Sequence, residues 1–238
     1  MVRVFCDFDG TMTVEDVGNR LFHTYSGGAS EKIVEEYRAG RINARECLSR
    51  ECESLGTISP ETVRKFASQF PLDPYAKEFV EFCRTRGIPL TVLSDGLDLY
   101  VSVILNDAGL GDLPWLANHG SFVGTGSGTV LVPSFPYRDE HCYLCGNCKR
   151  NHMVTSSGDD DVVVYVGDGI SDRCPVRYAD IVFAKRDLIK YCQEQNVSYY
   201  EFRHLGDVRE RLDQIMSQGK IRRRREAVMA RRDVFIAE

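Results

Sequence analysis

Short runs of branched apolar residues alternate along the chain with longer stretches in which apolar positions return every three or four residues. Val2–Cys6 is a run of the first kind and predicts a buried parallel strand that delivers Asp7 at its C-terminal end. Helical patterns follow. Thr13 is placed to cap a segment bearing Val14, Val17 and Leu21, with Asp16 answering the cap, and Ser30 opens another with Ile33, Val34 and Tyr37. Residues 43–55 carry Cys47, Leu48 and Leu55 among many charges. Ser59-Pro60-Glu61, a cap followed by proline in the first turn, leads into Val63, Phe66, Ala67 and Phe70, and Asp73-Pro74 repeats the signal before Phe79, Val80 and Cys83. Ile88–Leu93 then reads as a strand ending at Ser94-Asp95-Gly96, and Leu97–Leu110 as a helix. Between about 112 and 140 the pattern becomes glycine-rich, aromatic and β-like, as in a hairpin. The clearest strand, Val162–Val166, ends at Gly167-Asp168-Gly169. A strand over Ile181–Phe183 and a helix over Leu188–Gln195 complete an alternation that predicts a Rossmann-like α/β fold, a parallel sheet with helices on both faces.

The bulk numbers narrow the function classes. A chain of 238 residues holds one full α/β core with a modest second module and buries roughly 70% of its unfolded surface. At 43% apolar and 27% charged it is ordinary for a globular protein, and a net charge of -5 gives no reason to expect a nucleic-acid partner. No apolar run approaches the ~20 residues of a membrane span, and MVRVFCDFDG enters without a signal peptide, so the expected setting is cytoplasmic. The basic run 220–232 fits either the solvated face of a terminal helix or a site that attracts anions.

The count of nine cysteines is odd, and Cys6, Cys47, Cys52, Cys83 and Cys192 lie in apolar or helical contexts typical of small buried hydrophobes. The segment HCYLCGNCK stays open. Zinc is one reading, although adjacent His141 and Cys142 are poorly placed to ligate one ion; an iron–sulfur cluster would need Cys174 as well. A disulfide beside Lys149 is another, and a plain loop that brings Lys149 to a phosphate is the simplest.

In open α/β sheets ligands bind beyond the carboxyl ends of the strands. Those ends carry Asp7 and Asp9, then Ser94, then Asp168 and Asp172, while Lys149 stands near a helix start. Carboxylates that converge there repel one another unless a cation sits among them, and a hard, oxygen-seeking ion such as Mg²⁺ suits them. Each motif also has a plainer reading: DFDG as a turn with a capping aspartate, Ser94-Asp95-Gly96 as a strand-to-turn signal, Lys149 as a surface group and Asp172 as a helix cap. Taken in order, however, DFDGT, a strand ending in serine, a lysine and GDGISD resemble the four signatures of the haloacid-dehalogenase-like phosphohydrolases, and the likeness runs from the first strand to about Gln195.

That resemblance implies a Mg²⁺-dependent phosphomonoesterase. Asp7 would be the nucleophile and form an aspartyl-phosphate; Asp9 would act as general acid and then base, its main-chain carbonyl reaching the metal. Ser94 would donate to a phosphoryl oxygen, Lys149 would offset the charge on the transferred group, and Asp168 with Asp172 would complete the metal site. Thr11, Asp95 and Gly96 would add contacts to the substrate. Residues 14–83 occupy the position of a helical cap, leaving 1–13 and 84–238 as the core. Such a cap is typical of the phosphoserine-phosphatase-like branch, in which Asp16 and Arg50 would match the residues that meet the amine and carboxylate of phosphoserine. Asp16 is one methylene shorter than the glutamate of that branch. The aspartate, the CGNCK segment and the ending after GDGISD look closer to the 2-hydroxy-3-keto-5-methylthiopentenyl-1-phosphate phosphatases of methionine salvage. Phosphoserine hydrolysis, phosphotransfer to another acceptor, and a non-catalytic sensor of a phosphorylated metabolite are the alternatives; a monomer or homodimer is expected.

Overall fold

The computed structural model describes residues 1–219 and 221–236. In chain order its elements are β1 (Val2–Asp7), α1 (Val17–Tyr25), α2 (Ala29–Arg38), α3 (Ala44–Ser54), α4 (Pro60–Ala67), α5 (Ala76–Thr85), β2 (Leu90–Leu97), α6 (Asp98–Asp107), β3 (Trp115–Thr125) and β4 (Gly128–Ser134), then α7 (Lys149–Ser156), β5 (Val162–Gly167), β6 (Ile181–Ala184), α8 (Asp187–Glu194), β7 (Tyr200–Glu201), α9 (Leu205–Ser217) and α10 (Arg225–Ile236). Two compact units emerge. The first comprises Met1–Met12, Leu72–Leu93 and the described residues from Lys149 on; the second comprises Thr13–Pro71 and Ser94–Cys148.

In the first unit the strands lie in the order β2, β1, β5, β6, β7, each pair parallel. This is the Rossmann-like α/β fold expected from the alternating pattern. The middle of each central strand is apolar or aromatic because neither face meets water there: Val4, Phe5 and Cys6, Val92 and Leu93, and Val163–Val166 are all buried. Cys6 stands opposite both Val92 and Val166, so Asp7, the last residue of β1, lies beside Leu93 of β2 and level with the end of β5. Helix α5, expected among the cap helices, belongs to this unit. Asp73 accounts for that, since its carboxylate accepts the N–H of Tyr75 at 2.9 Å and of Leu205 at 3.2 Å and so ties the start of α5 to α9. Part of the basic run is built into the fold, while Arg222, Arg225 and Arg232 are exposed: Arg224 donates to the carbonyls of Val176 and Ala179, and Arg231 to that of Tyr178 and to Asp180 Oδ2 at 2.9 Å. Lys220 lies outside the described residues.

The second unit gathers α1–α4, α6, and the hairpin β3–β4. Asn43 and Ser59 cap α3 and α4 as their residue types predict. Helix α1 starts later than expected. The Thr13 hydroxyl donates to the Glu15 carbonyl and Val14 N–H to Pro71, which keeps this stretch extended until Asp16, whose carboxylate takes over as the cap by accepting Asn19 N–H at 2.8 Å. The hairpin turns at Gly126-Ser127, with Thr125 opposite Gly128.

Candidate active site

The loop after β1 carries the first functional groups of the first unit. Gly10 turns it with φ +75°, and a Cβ there would stand 2.5 Å from Asp168 Oδ2 and 2.6 Å from Arg186, so only glycine permits this approach. Asp9, half-buried, precedes it, and Thr11 follows fully buried. Lys149, the first residue of α7, places its ammonium 2.6 Å from Asp7 Oδ1, 2.8 Å from Asp172 Oδ1 and 2.9 Å from Ser171 Oγ. Lysine and both carboxylates are at most 3% exposed. Asp172 is held on all sides: Tyr165 O–H donates to Oδ1 at 2.6 Å, and the N–H groups of Asp168 and Gly169 donate to Oδ2 at 2.8 and 3.0 Å. It thereby fixes the loop that presents Asp168, whose Oδ2 accepts Arg186 at 2.8 Å.

The charges explain the arrangement. Burial opposes the charge of Lys149, but the Asp172 and Asp7 carboxylates outweigh it and hold the ammonium well above its usual range. Burial and the Asp172 charge push the Asp7 carboxyl up, while Lys149 pulls it back; burial, with Asp172 second, moves Asp168 up to about 6 against the pull of Arg186. Tyr165 is raised by burial and by Asp172, so it stays a proton donor. Carboxylate oxygens of Asp7, Asp168 and Asp172 lie within 4.8 Å of one another, and the buried Thr11 hydroxyl in the same unit has no hydrogen-bond partner. An all-oxygen, acid-rich set of this kind fits a hard divalent cation and not a thiophilic one.

The remaining residues singled out in the sequence lie in the second unit. Ser94 is fully buried and its Oγ accepts Gly96 N–H at 3.0 Å. The Asp95 carboxylate accepts the N–H groups of Gly146 and Asn147 at 3.1 and 2.9 Å. Asp16 caps α1. Arg50 pairs with Glu36 at 2.6 Å and with Glu46 at 3.7 Å. Near Asp16, Glu51 is only 7% exposed, and burial, then the Asp16 charge, push its carboxyl up to about 8; the Cys47 thiol donates to it at 3.7 Å. All nine cysteines are free thiols, and among the described residues the acidic triad is the one cluster with metal-ligand spacing. Sequence reasoning missed Tyr165, Ser171, Arg186 and Glu51. Tyr165 had a signal, as the one polar tip inside VVVYV; Arg186, held at φ 50°, had none.

The fold and the order of these motifs along the chain are those of the haloacid-dehalogenase-like phosphatases, the class the sequence resembles. The chain belongs to the putative phosphatase family, whose model matches residues 2–206, and it is a phosphatase. It is similar to a 2-hydroxy-3-keto-5-methylthiopentenyl-1-phosphate phosphatase of Bacillus cereus, with 27% identity over 217 residues covering 89% of this chain and 95% of the relative. It is similar also to a polyol phosphate phosphatase of Saccharomyces cerevisiae, 26% identical over 233 residues, 91% and 95% of the two chains. Among solved structures, a phospho-aspartyl intermediate analogue of phosphoserine phosphatase superposes with a TM-score of 0.64 at 19% identity, covering 89% of this chain and 97% of the other. A probable phosphoserine phosphatase from Vibrio cholerae gives 0.68 at 16% identity, with 94% and 68% covered. These structural likenesses bear on the fold.

Proposed function

We propose that the chain is a Mg²⁺-dependent phosphomonoesterase that hydrolyses a small phosphorylated metabolite through an aspartyl-phosphate on Asp7. The observation that carries this reading is the buried ammonium of Lys149 bound jointly to Asp7 and Asp172. Asp7 attacks phosphorus, the bond from phosphorus to the leaving oxygen breaks, and Asp9 gives that oxygen its proton. Asp9 then takes a proton from the water that opens the acyl phosphate. Lys149 balances the negative charge of Asp7 and of the transferred group, and Ser94 donates its hydroxyl to a phosphoryl oxygen. Asp7, the Asp9 carbonyl and Asp168 would hold Mg²⁺, with Asp172 orienting the Asp168 loop behind them. The ion would neutralise phosphoryl charge.

The helices that follow Asp9 act, in this reading, as a cap over the substrate, with Asp16 and Arg50 among its recognition groups and Thr11, Asp95 and Gly96 supporting the phosphate side. The substrate we favour is 2-hydroxy-3-keto-5-methylthiopentenyl-1-phosphate, supported by the bacterial relatives and by the short Asp16, which reaches less far toward a bound ammonium than a glutamate would. The proposed setting is cytoplasmic; among the described residues no helix is long and apolar enough to cross a membrane.

The test is phosphate release from a panel of phosphorylated metabolites with Mg²⁺, including phosphoserine, a polyol phosphate and the methionine-salvage enolate, with Asp7→Asn as control. A kcat/KM for the enolate at least ~100-fold above the rest, about 2.7 kcal/mol of discrimination, supports the assignment. Preference for another compound overturns the substrate, and release that survives Asp7→Asn overturns the mechanism.

A further inference from the structure

We propose that Asn147 is a positioning residue for Ser94, acting through a clamp of hydrogen bonds closed around Asp95. The proposal rests on the reading of Ser94 as a donor to the phosphoryl group. Every contact in the clamp lies within the second unit. Asn147 is fully buried, and its side-chain amide donates to the Ser94 carbonyl at 2.8 Å and the Leu116 carbonyl at 3.0 Å. Its own N–H and that of Gly146 converge on Asp95 Oδ1. From the other side Asn118 Nδ2 donates to the Asp95 carbonyl at 2.7 Å and reaches Oδ1 at 3.3 Å. Ser94 is therefore gripped at two atoms, its carbonyl by Asn147 and its hydroxyl oxygen by Gly96 N–H.

Residue type supports the assignment. Only an amide offers two N–H donors without a charge, so Asn147 satisfies both carbonyls without burying an ion. The neighbouring glycine is as constrained, since a Cβ on Gly146 would stand 2.7 Å from Phe135 and 2.9 Å from the Asn118 amide. The Cys145 thiol adds no charge: a hydrogen bond with Cys148, burial and the Asp95 charge all push it up, so it stays protonated. Asp95 is then the anion on which the loop is hung, and Asn147 passes that anchorage to Ser94. A donor aimed at a transferring phosphoryl group acts only when its place is fixed, because its contribution depends on alignment that is set before reaction.

The experiment is a double-mutant cycle on Mg²⁺-supported hydrolysis of p-nitrophenyl phosphate, with Ser94→Ala, Asn147→Ala and the double variant, each corrected for the folded fraction by circular dichroism. We expect Ser94→Ala to lower kcat about 100-fold and Asn147→Ala about 10-fold, with KM changed by less than about two-fold. The double variant should then be no slower than Ser94→Ala alone, because Asn147 has nothing left to position. Equal effects of Asn147→Ala in both backgrounds would mark a merely structural residue and overturn the proposal, as would an unchanged kcat. If Asn147→Ala does not fold, Asp95→Asn, which keeps an acceptor oxygen but loses the charge, takes its place in the cycle under the same criteria. Ser94→Ala without effect beside an inactive Asp7→Asn overturns the clamp alone; an active Asp7→Asn overturns the phosphatase mechanism itself.

Discussion

Replacing Glu51 by glutamine should stabilise the protein, and the gain should grow with pH. Glu51 is buried on α3 near the Asp16 charge, and these two causes lift its carboxyl from the ordinary 4.5 to about 8. Between those two values the folded chain holds a proton that the unfolded chain has released, so stability falls as pH rises from about 4.5 to about 8 and is flat above. At pH 7 the gap from 4.5 is 2.5 pH units, worth at most about 3 kcal/mol. Glu51→Gln keeps an oxygen for the Cys47 thiol, cannot ionise, and so removes that loss. For a chain of this length 1 kcal/mol moves Tm by roughly 2–4 °C, which puts the full gain at roughly 6–12 °C at pH 7 and near zero at pH 4.5. Thermal unfolding of both proteins followed by circular dichroism at pH 5, 6, 7 and 8 measures it. A Tm difference that is the same at every pH would refute the reasoning, because polarity alone and not ionisation would then separate the two side chains.

Lys149→Met should abolish phosphate release and also cost about 3–5 kcal/mol in urea denaturation, since it leaves the buried carboxylates of Asp7 and Asp172 facing each other without their cation. Arg231→Met should cost a similar amount with little effect on kcat: Asp180 is 4% exposed, its Oδ1 already lacks a hydrogen-bond partner, and Oδ2 would keep only Val163 N–H among its described donors. Adding Asp180→Asn to Arg231→Met should recover part of the loss, and failure to do so would show that the helix packing of α10 rather than the buried pair was being measured.

Much of this was readable because the relevant signals are local. Val2–Cys6 and Val162–Val166 announce buried parallel strands by having no polar face, and the residues that end them, Asp7 and Asp168, follow directly. Ser59 and Asn43 cap helices because their side chains suit that place whatever lies around them. What the sequence did not disclose depends on distant partners. Asp16 rather than Thr13 caps α1 because Pro71, far along the chain, holds Val14 extended. The role of Asp95 as an anchor appears only when residues 146 and 147 come to it, and the attachment of α5 depends on Leu205. The strand β7 went unread, since two residues leave almost no pattern, and helix α9 went unread beside it although Leu205, Val208 and Leu212 repeat at helical spacing.

The position of β1 between β2 and β5 has a consequence for the birth of the molecule. Its neighbours, β2 and β5, begin about 90 and 160 residues into the chain, and the lysine that contacts Asp7 is 142 positions away. On a ribosome adding about 5–20 residues per second, Asp7 waits roughly 10–30 s before Asp172 has been synthesised. Throughout that interval the first strand has no complete sheet to join, and its apolar residues are without the neighbours that bury them in the finished fold.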